Sequence, residues 1–141
     1  MKIYIGSDHA GVDLKASVIE HFGDKFAFVD KGTLSHDSVD YPDFAHAVAD
    51  SVLKDKEALG ILICGTGNGM AITANKHANI RAALCWAPEI AALAKQHNNA
   101  NIVVLPARFI STENAFLTLQ AFLDAEFEGG RHQRRIDKIN L

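Results

Sequence analysis

Five short apolar runs alternate along this 141-residue chain with segments whose apolar residues recur at helical spacing. Residues 2–6, 26–29, 59–64, 80–85 and 101–105 read as buried strands, rich in branched and aromatic side chains and bounded by polar residues or glycine. Between and after them lie helix faces: Leu14, Val18 and Phe22; Phe44, Val48 and Val52; Ile90, Leu93 and Ala94; Phe116, Leu119, Phe122 and Leu123. Pro42 and Pro88 suit a helical first turn, and Thr112 starts the last of these helices, which Gly129-Gly130 is expected to stop. Parallel strands need a crossover, so repeated strand–helix units imply a parallel sheet covered by helices on both faces. The expectation is an α/β, three-layer Rossmann-like fold with a five-stranded parallel sheet. It forms a single domain over 1–141, with no linker, repeat or low-complexity stretch.

Hydrophobic residues make up 48% of the chain, enough for a packed core. A net charge of −3 argues against nucleic-acid binding driven by bulk charge, and no segment reaches membrane-spanning length. The N-terminus lacks a signal-peptide pattern, and the two cysteines fit neither a disulfide framework nor a zinc site, so a cytoplasmic, reduced protein is expected.

Ligands of parallel sheets bind beyond the C-terminal strand ends. That rule selects Ser7, Asp8 and His9 after the first strand, Tyr41 in the loop after the second, Cys64 to Gly69 after the third and Arg108 after the fifth. The third site is the most informative. The run Ile61-Leu62-Ile63-Cys64 opens into Gly65-Thr66-Gly67-Asn68-Gly69 and then into a helix expected over 70–76. A helix N-terminus offers free N–H groups to an anion and lowers the pKa of a nearby thiol. Cys64 is either a small packed hydrophobe or a thiolate beside a site for negative charge. Met70 stands three residues after Gly67, where the dinucleotide fingerprint needs glycine, and no Gly-Lys-Ser/Thr follows. A smaller anion than a nucleotide is expected.

Asp8 and His9 read either as a helix cap and a solvated ring, or as contacts to a sugar hydroxyl and a phosphate or ring oxygen. His97 shares a helix face with Ile90, Leu93 and Ala94 and is expected to aim inward, as a buried or C-capping residue or as a general acid. Asn98 is a C-cap or a hydroxyl ligand. Arg131 and Arg135, four apart, either bind phosphate from one helix face or belong to a solvated basic tail. His21, His36, His46 and His77 show no partner pattern, and no histidine–carboxylate spacing suggests a metal.

Segments along nearly the whole chain resemble the type B ribose-5-phosphate isomerases, within a family that includes allose-6-phosphate and galactose-6-phosphate isomerases. They are Gly6-Ser7-Asp8-His9-Ala10-Gly11, Asp30-Lys31-Gly32-Thr33, Asp40-Tyr41-Pro42, Cys64-Gly65-Thr66-Gly67-Asn68-Gly69, Ala74-Asn75-Lys76, Gln96-His97-Asn98 and Glu128-Gly129-Gly130-Arg131-His132-Gln133. The resemblance implies Cys64 as proton acceptor, His97 as proton donor and Thr66 as a polar helper. It implies substrate contacts from Asp8, His9, Tyr41, Gly65, Gly67, Asn68, Gly69, Asn98, Arg108, Arg131 and Arg135. It further implies a homodimer or homotetramer in which residues 129–141 reach a site shared with a partner. Neither metal nor redox cofactor is expected, because the chemistry is proton transfer, and the setting would be pentose phosphate metabolism. Ala71 stands where many members carry serine. The alternatives are a hexose phosphate substrate or a non-catalytic sugar-phosphate sensor.

Overall fold

A computed structural model describes residues 1–140. Its five strands are β1 (Lys2–Ser7), β2 (Ala27–Asp30), β3 (Leu59–Cys64), β4 (Ala82–Leu84) and β5 (Ile102–Pro106). All pairings are parallel and the order is β2-β1-β3-β5-β4. The helices are α1 (Val12–Phe22), α2 (Tyr41–Lys54), α3 (Asn68–Ala74), α4 (Pro88–Asn98), α5 (Thr112–Asp124) and α6 (Arg131–Ile136), with a single 3₁₀ turn at His9–Gly11.

Alternation along the strands builds the three layers. Ile3, Ile5, Ile61, Ile63, Val103 and Leu105 point to one face, where they pack with Leu14, Val18 and Phe22 of α1, Ala91 and Ala94 of α4, and Leu119 and Phe122 of α5. Leu62, Cys64, Ile102 and Val104 point to the other, against Ala45, Val48 and Val52 of α2 and Met70 and Ala74 of α3. Each fully buried aliphatic side chain contributes about 1.5–3 kcal/mol, so two such faces hold a sheet whose strands average only a few residues.

Four details differ from the sequence expectations. The helix after the glycine loop begins at Asn68 rather than Met70, so Asn68 and Gly69 belong to its first turn. Strand β4 is short because the Arg81 N–H bonds the Asn101 side chain instead of a strand, at 2.8 Å. Its outer edge is met by Asn75, whose amide donates to the Ala82 carbonyl and accepts from the Ala82 N–H, at 2.9 and 2.8 Å. Leu93 is 46% exposed while Ala91 is fully buried, because α4 lies close to α5 and the sheet through alanines and turns Leu93 to the rim. Finally, α5 stops at Asp124 and Gly129-Gly130 do not end it. Ala125 is already extended, the Glu128 N–H bonds the Gln96 carbonyl at 3.0 Å, and Gly130 (φ 58°) caps α6.

One buried charge fixes the approach to the C-terminal end of the sheet. Lys15 of α1, 2% exposed, donates to the Asp30 carboxylate at 2.7 Å and to the Thr33 carbonyl at 2.5 Å. The segment after β2 is thereby drawn alongside β1, where Ser7 N–H bonds Gly32 O and Thr33 N–H bonds Ser7 O. A buried ammonium is tolerated only with such partners.

Candidate active site

Cys64 closes β3, 5% exposed, and the chain turns immediately through Gly65, Thr66 and Gly67 into α3. Gly67 takes φ 79° as the N-cap, and a Cβ there would run into the Leu84 side chain. A Cβ on Gly69 would enter the Tyr41 ring, so the glycine lets that aromatic ring lie on the first turn. Thr66 Oγ1 accepts the Asn68 N–H at 3.2 Å and shapes the turn. Arg108 donates its N–H to Gly65 O at 3.0 Å, and its guanidinium stem lies over Gly65. Tyr41 is the first residue of α2 rather than a loop residue, and is 40% exposed.

Asp8 joins this group through its N–H to the Ile63 carbonyl, at 3.1 Å, and its Oδ1 caps the 3₁₀ turn by accepting from Ala10 N. His9 Nδ1 accepts the Val39 N–H at 3.2 Å, so the neutral ring carries its proton on Nε2 and presents a donor there. Asp8, His9, Tyr41, Cys64 to Gly69 and Arg108 therefore form one cluster at the C-terminal end of the sheet.

The remaining residues lie at the other end. Helix α4 starts beyond the C-terminal end of β4 and runs back along the sheet, so His97 and Asn98 end up beside the strand starts. The Asn98 carbonyl accepts from Arg81 Nε at 2.9 Å, just before β4. In the register, Gly60 lies opposite Ile102 at those starts and Cys64 lies opposite Pro106 at the far ends. The four-residue rise along β3 separates the two ends by about 13 Å. Cys64 and His97 of one chain thus sit on opposite ends of the sheet.

His97 does not point into the core. Its side chain is 38% exposed and leans on α6, stacked on His132 with ring centroids 4.2 Å apart and planes 12° from parallel. Glu128 places a carboxylate oxygen 3.7 Å from His97 Nε2 and 3.5 Å from His132 Nε2. His132 is 6% exposed and its Nε2 has no hydrogen-bond partner. Burial pushes the His132 imidazole below the ordinary histidine value, the charges of His97, Arg131 and Arg135 push the same way, and Glu128 pulls it back. A cleft of about 380 Å³ opens here, lined by His97, Asn98, His132, Arg135, Ile136 and Ile139. A larger cavity, about 600 Å³, runs between the end of α3, β4 and Ile139, and touches this cleft at Asn98.

Glu128 and His132 had no role in the sequence reading. They lie four apart, but the two glycines between them break any helical face, and only the docking of α6 on α4 brings them to His97. The three side chains bring two nitrogens and an oxygen within 4.8 Å of one another. Near-parallel rings, however, aim their lone pairs along parallel lines rather than at one point, so the cluster as it stands is not a coordination site.

The ribose/galactose isomerase family model matches residues 3–139. A probable ribose-5-phosphate isomerase B of Mycoplasma genitalium is 51% identical over 140 residues, covering 97% of this chain and 92% of the relative. Ribose-5-phosphate isomerase B of Escherichia coli is 43% identical, covering 98% of this chain and 93% of the relative. The chain belongs to the ribose/galactose isomerase family. The fold of this isomerase matches a crystal structure of a ribose 5-phosphate isomerase from Thermotoga maritima with TM-score 0.96 and 52% identity, over 99% of this chain and 97% of that one. It also matches the Mycoplasma genitalium enzyme crystallised with bound ribulose-5-phosphate, with TM-score 0.95 and 50% identity, over 98% of this chain and 93% of that one. Among the described residues, no helix of the isomerase is long and apolar enough to cross a membrane.

Proposed function

We propose that this isomerase interconverts ribose 5-phosphate and ribulose 5-phosphate by proton transfer through an enediolate, with Cys64 as the base. The observation that carries the reading is a thiol at the end of β3, set directly against a glycine turn and a helix first turn. In ring opening, His97 delivers a proton to the ring oxygen as its bond to C1 breaks, and Asp8 takes the proton from the C1 hydroxyl. Cys64 as thiolate then removes the C2 proton, and the proton returns at C1 to give the ketose. The N–H groups of the 65–69 turn other than that of Asn68, together with the Thr66 O–H, stabilise the charge that develops on the enediolate oxygens. Such preorganised donors contribute about 3 kcal/mol each. His9, Arg108, Arg131 and Arg135 hold the phosphate, while Asn98 and Tyr41 hold hydroxyls and wall the pocket. The reaction needs no redox cofactor because no electrons leave the sugar, and in this reading N–H groups stabilise the enediolate without a metal.

The separation of Cys64 from His97 supports a shared site. Both reach one substrate only if α4 and α6 of one copy face the Cys64 loop of another. A two-fold homodimer closes two equivalent sites of this kind, and a homotetramer can contain it. Residues 129–140, and with them the end of the 129–141 tail at Leu141, which lies outside the described residues, are then what reaches the partner. A free thiol base and phosphorylated sugars suit the reducing cytoplasm and pentose phosphate metabolism.

The test is ketose formation by purified protein from ribose 5-phosphate, run beside allose 6-phosphate and galactose 6-phosphate and with the Cys64→Ala variant. Turnover of the pentose that is lost in the variant, with sugar-phosphate binding retained, is the expected result. Preference for a hexose phosphate overturns the substrate, full activity of the variant overturns the base, and binding without turnover points to a sensor.

A further inference from the structure

We propose that Glu128 and His132 are positioning residues, which hold the His97 imidazole in one orientation and set a carboxylate beside it; this rests on the reading of His97 as the ring-opening acid. An imidazole at the exposed end of a helix turns freely about its side-chain torsions unless something fixes it. Here the fixing groups come from outside α4. The Glu128 backbone is pinned to the helix by its N–H on Gln96 O, the residue just before His97. Its carboxylate then stands 3.7 Å from His97 Nε2. His132 supplies a flat ring at 4.2 Å, held by the docking of α6 and by its own N–H on Gly129 O.

Charge gives the arrangement its purpose. Arg135 lines the same cleft as His97 and Asn98, and Arg131 lies one residue before His132 on α6, so positive charge gathers at this end of α4. A phosphate site needs arginines, but those arginines oppose the protonated form of a neighbouring acid. Among the described residues, Glu128 is the one carboxylate paired with the His97 ring, and it sets a negative charge among these cations. A neutral His132 completes the device, since two stacked imidazoles cannot both carry charge without repulsion. Its side chain is also hard to explain as packing alone. Its Nε2 is one of only three buried side-chain polar atoms without a partner among the described residues, and it faces Glu128 rather than the core.

The chemistry allows a test that separates positioning from structure. The phosphate of ribulose 5-phosphate esterifies O5, so the ketose cannot close a five-membered ring. Exchange of its C1 hydrogen with D₂O therefore reports proton transfer at Cys64 without any ring step. In Glu128→Gln, kcat/KM for ribose 5-phosphate should fall about tenfold, part of the roughly hundredfold or more that general acid catalysis contributes. Exchange at C1 of ribulose 5-phosphate should stay within about twofold, since the Cys64 half of the site is unchanged. His132→Phe should keep most of the activity by keeping a flat ring, while His132→Ala should lose it as Glu128→Gln does. Unchanged ribose 5-phosphate turnover in Glu128→Gln, or a parallel loss of turnover and exchange, overturns the proposal. Glu128 is 51% exposed, so that variant folds even where a His132 variant does not. If the unmodified protein exchanges C1 but does not isomerise ribose 5-phosphate, the reading of His97 fails instead.

Discussion

Mixing two dead variants should restore activity. Cys64→Ala removes the proposed base and His97→Ala the proposed acid, and each alone should be close to inactive on ribose 5-phosphate. The two groups sit at opposite ends of the same sheet. In a two-fold dimer, one site of the mixed pair therefore takes both substitutions and the other takes neither. Random exchange in an equal mixture makes about half of the dimers mixed, each with one intact site of two, so recovery should reach about a quarter of wild-type activity. Mixed dimers isolated through two different affinity tags should reach about half. The converse mixture is a control: a Cys64→Ala/His97→Ala double variant should poison wild-type subunits, because both sites of that mixed dimer lack one group. The assay is ketose formation after co-refolding or subunit exchange, with dimer composition checked by mass spectrometry. Verified mixed dimers with no recovered activity, together with no poisoning by the double variant, would refute a site shared between chains.

Two further outcomes are expected. Gly69→Ala should destabilise the protein by about 1–3 kcal/mol, as overpacking does, because its Cβ would meet the Tyr41 ring; a urea titration reads this, and an unchanged midpoint would mean that Tyr41 is free to move. Burial pushes the Cys85 thiol from 9.0 up to about 12. The folded protein therefore keeps a proton that the unfolded chain releases, and stability should decline as pH rises from about 9 toward 12. Cys85→Ala should show a flatter decline over that range, and equal slopes for the two proteins would contradict the burial argument.

The sheet was legible because a buried parallel strand declares itself locally. Residues 59–64 show this best: an uninterrupted apolar run bounded by turn residues. The Cys64 cluster was legible for a related reason: apart from Tyr41, eleven residues beyond β2, its members lie at a strand end or within a few residues of one, and the strand-end rule does the rest. Asp8 is a cap, as one of its two readings had it, and its N–H on Ile63 O also sets it beside the end of β3. The His97 cluster was only half legible. Helical spacing located the end of α4 but could not say what lies against it, and alanines rather than Leu93 turned out to face the core. Glu128 and His132 meet His97 through a tertiary contact across two glycines, for which no local periodicity exists. The glycines themselves misled for a physical reason: a Gly pair marks a conformation, and here that conformation opens a helix instead of closing one.

The edge of the sheet at β4 carries a consequence for solubility. In a parallel strand the N–H and C=O of one residue point to the same side, and for Ala82 that side has no neighbouring strand. The Asn75 amide satisfies both groups and so behaves as a strand one residue long that cannot be extended. An uncapped edge is a template on which another chain can add, and from there aggregates grow. A side-chain amide that ends the ladder in this way guards the isomerase against self-templating while β4 stays only three residues long.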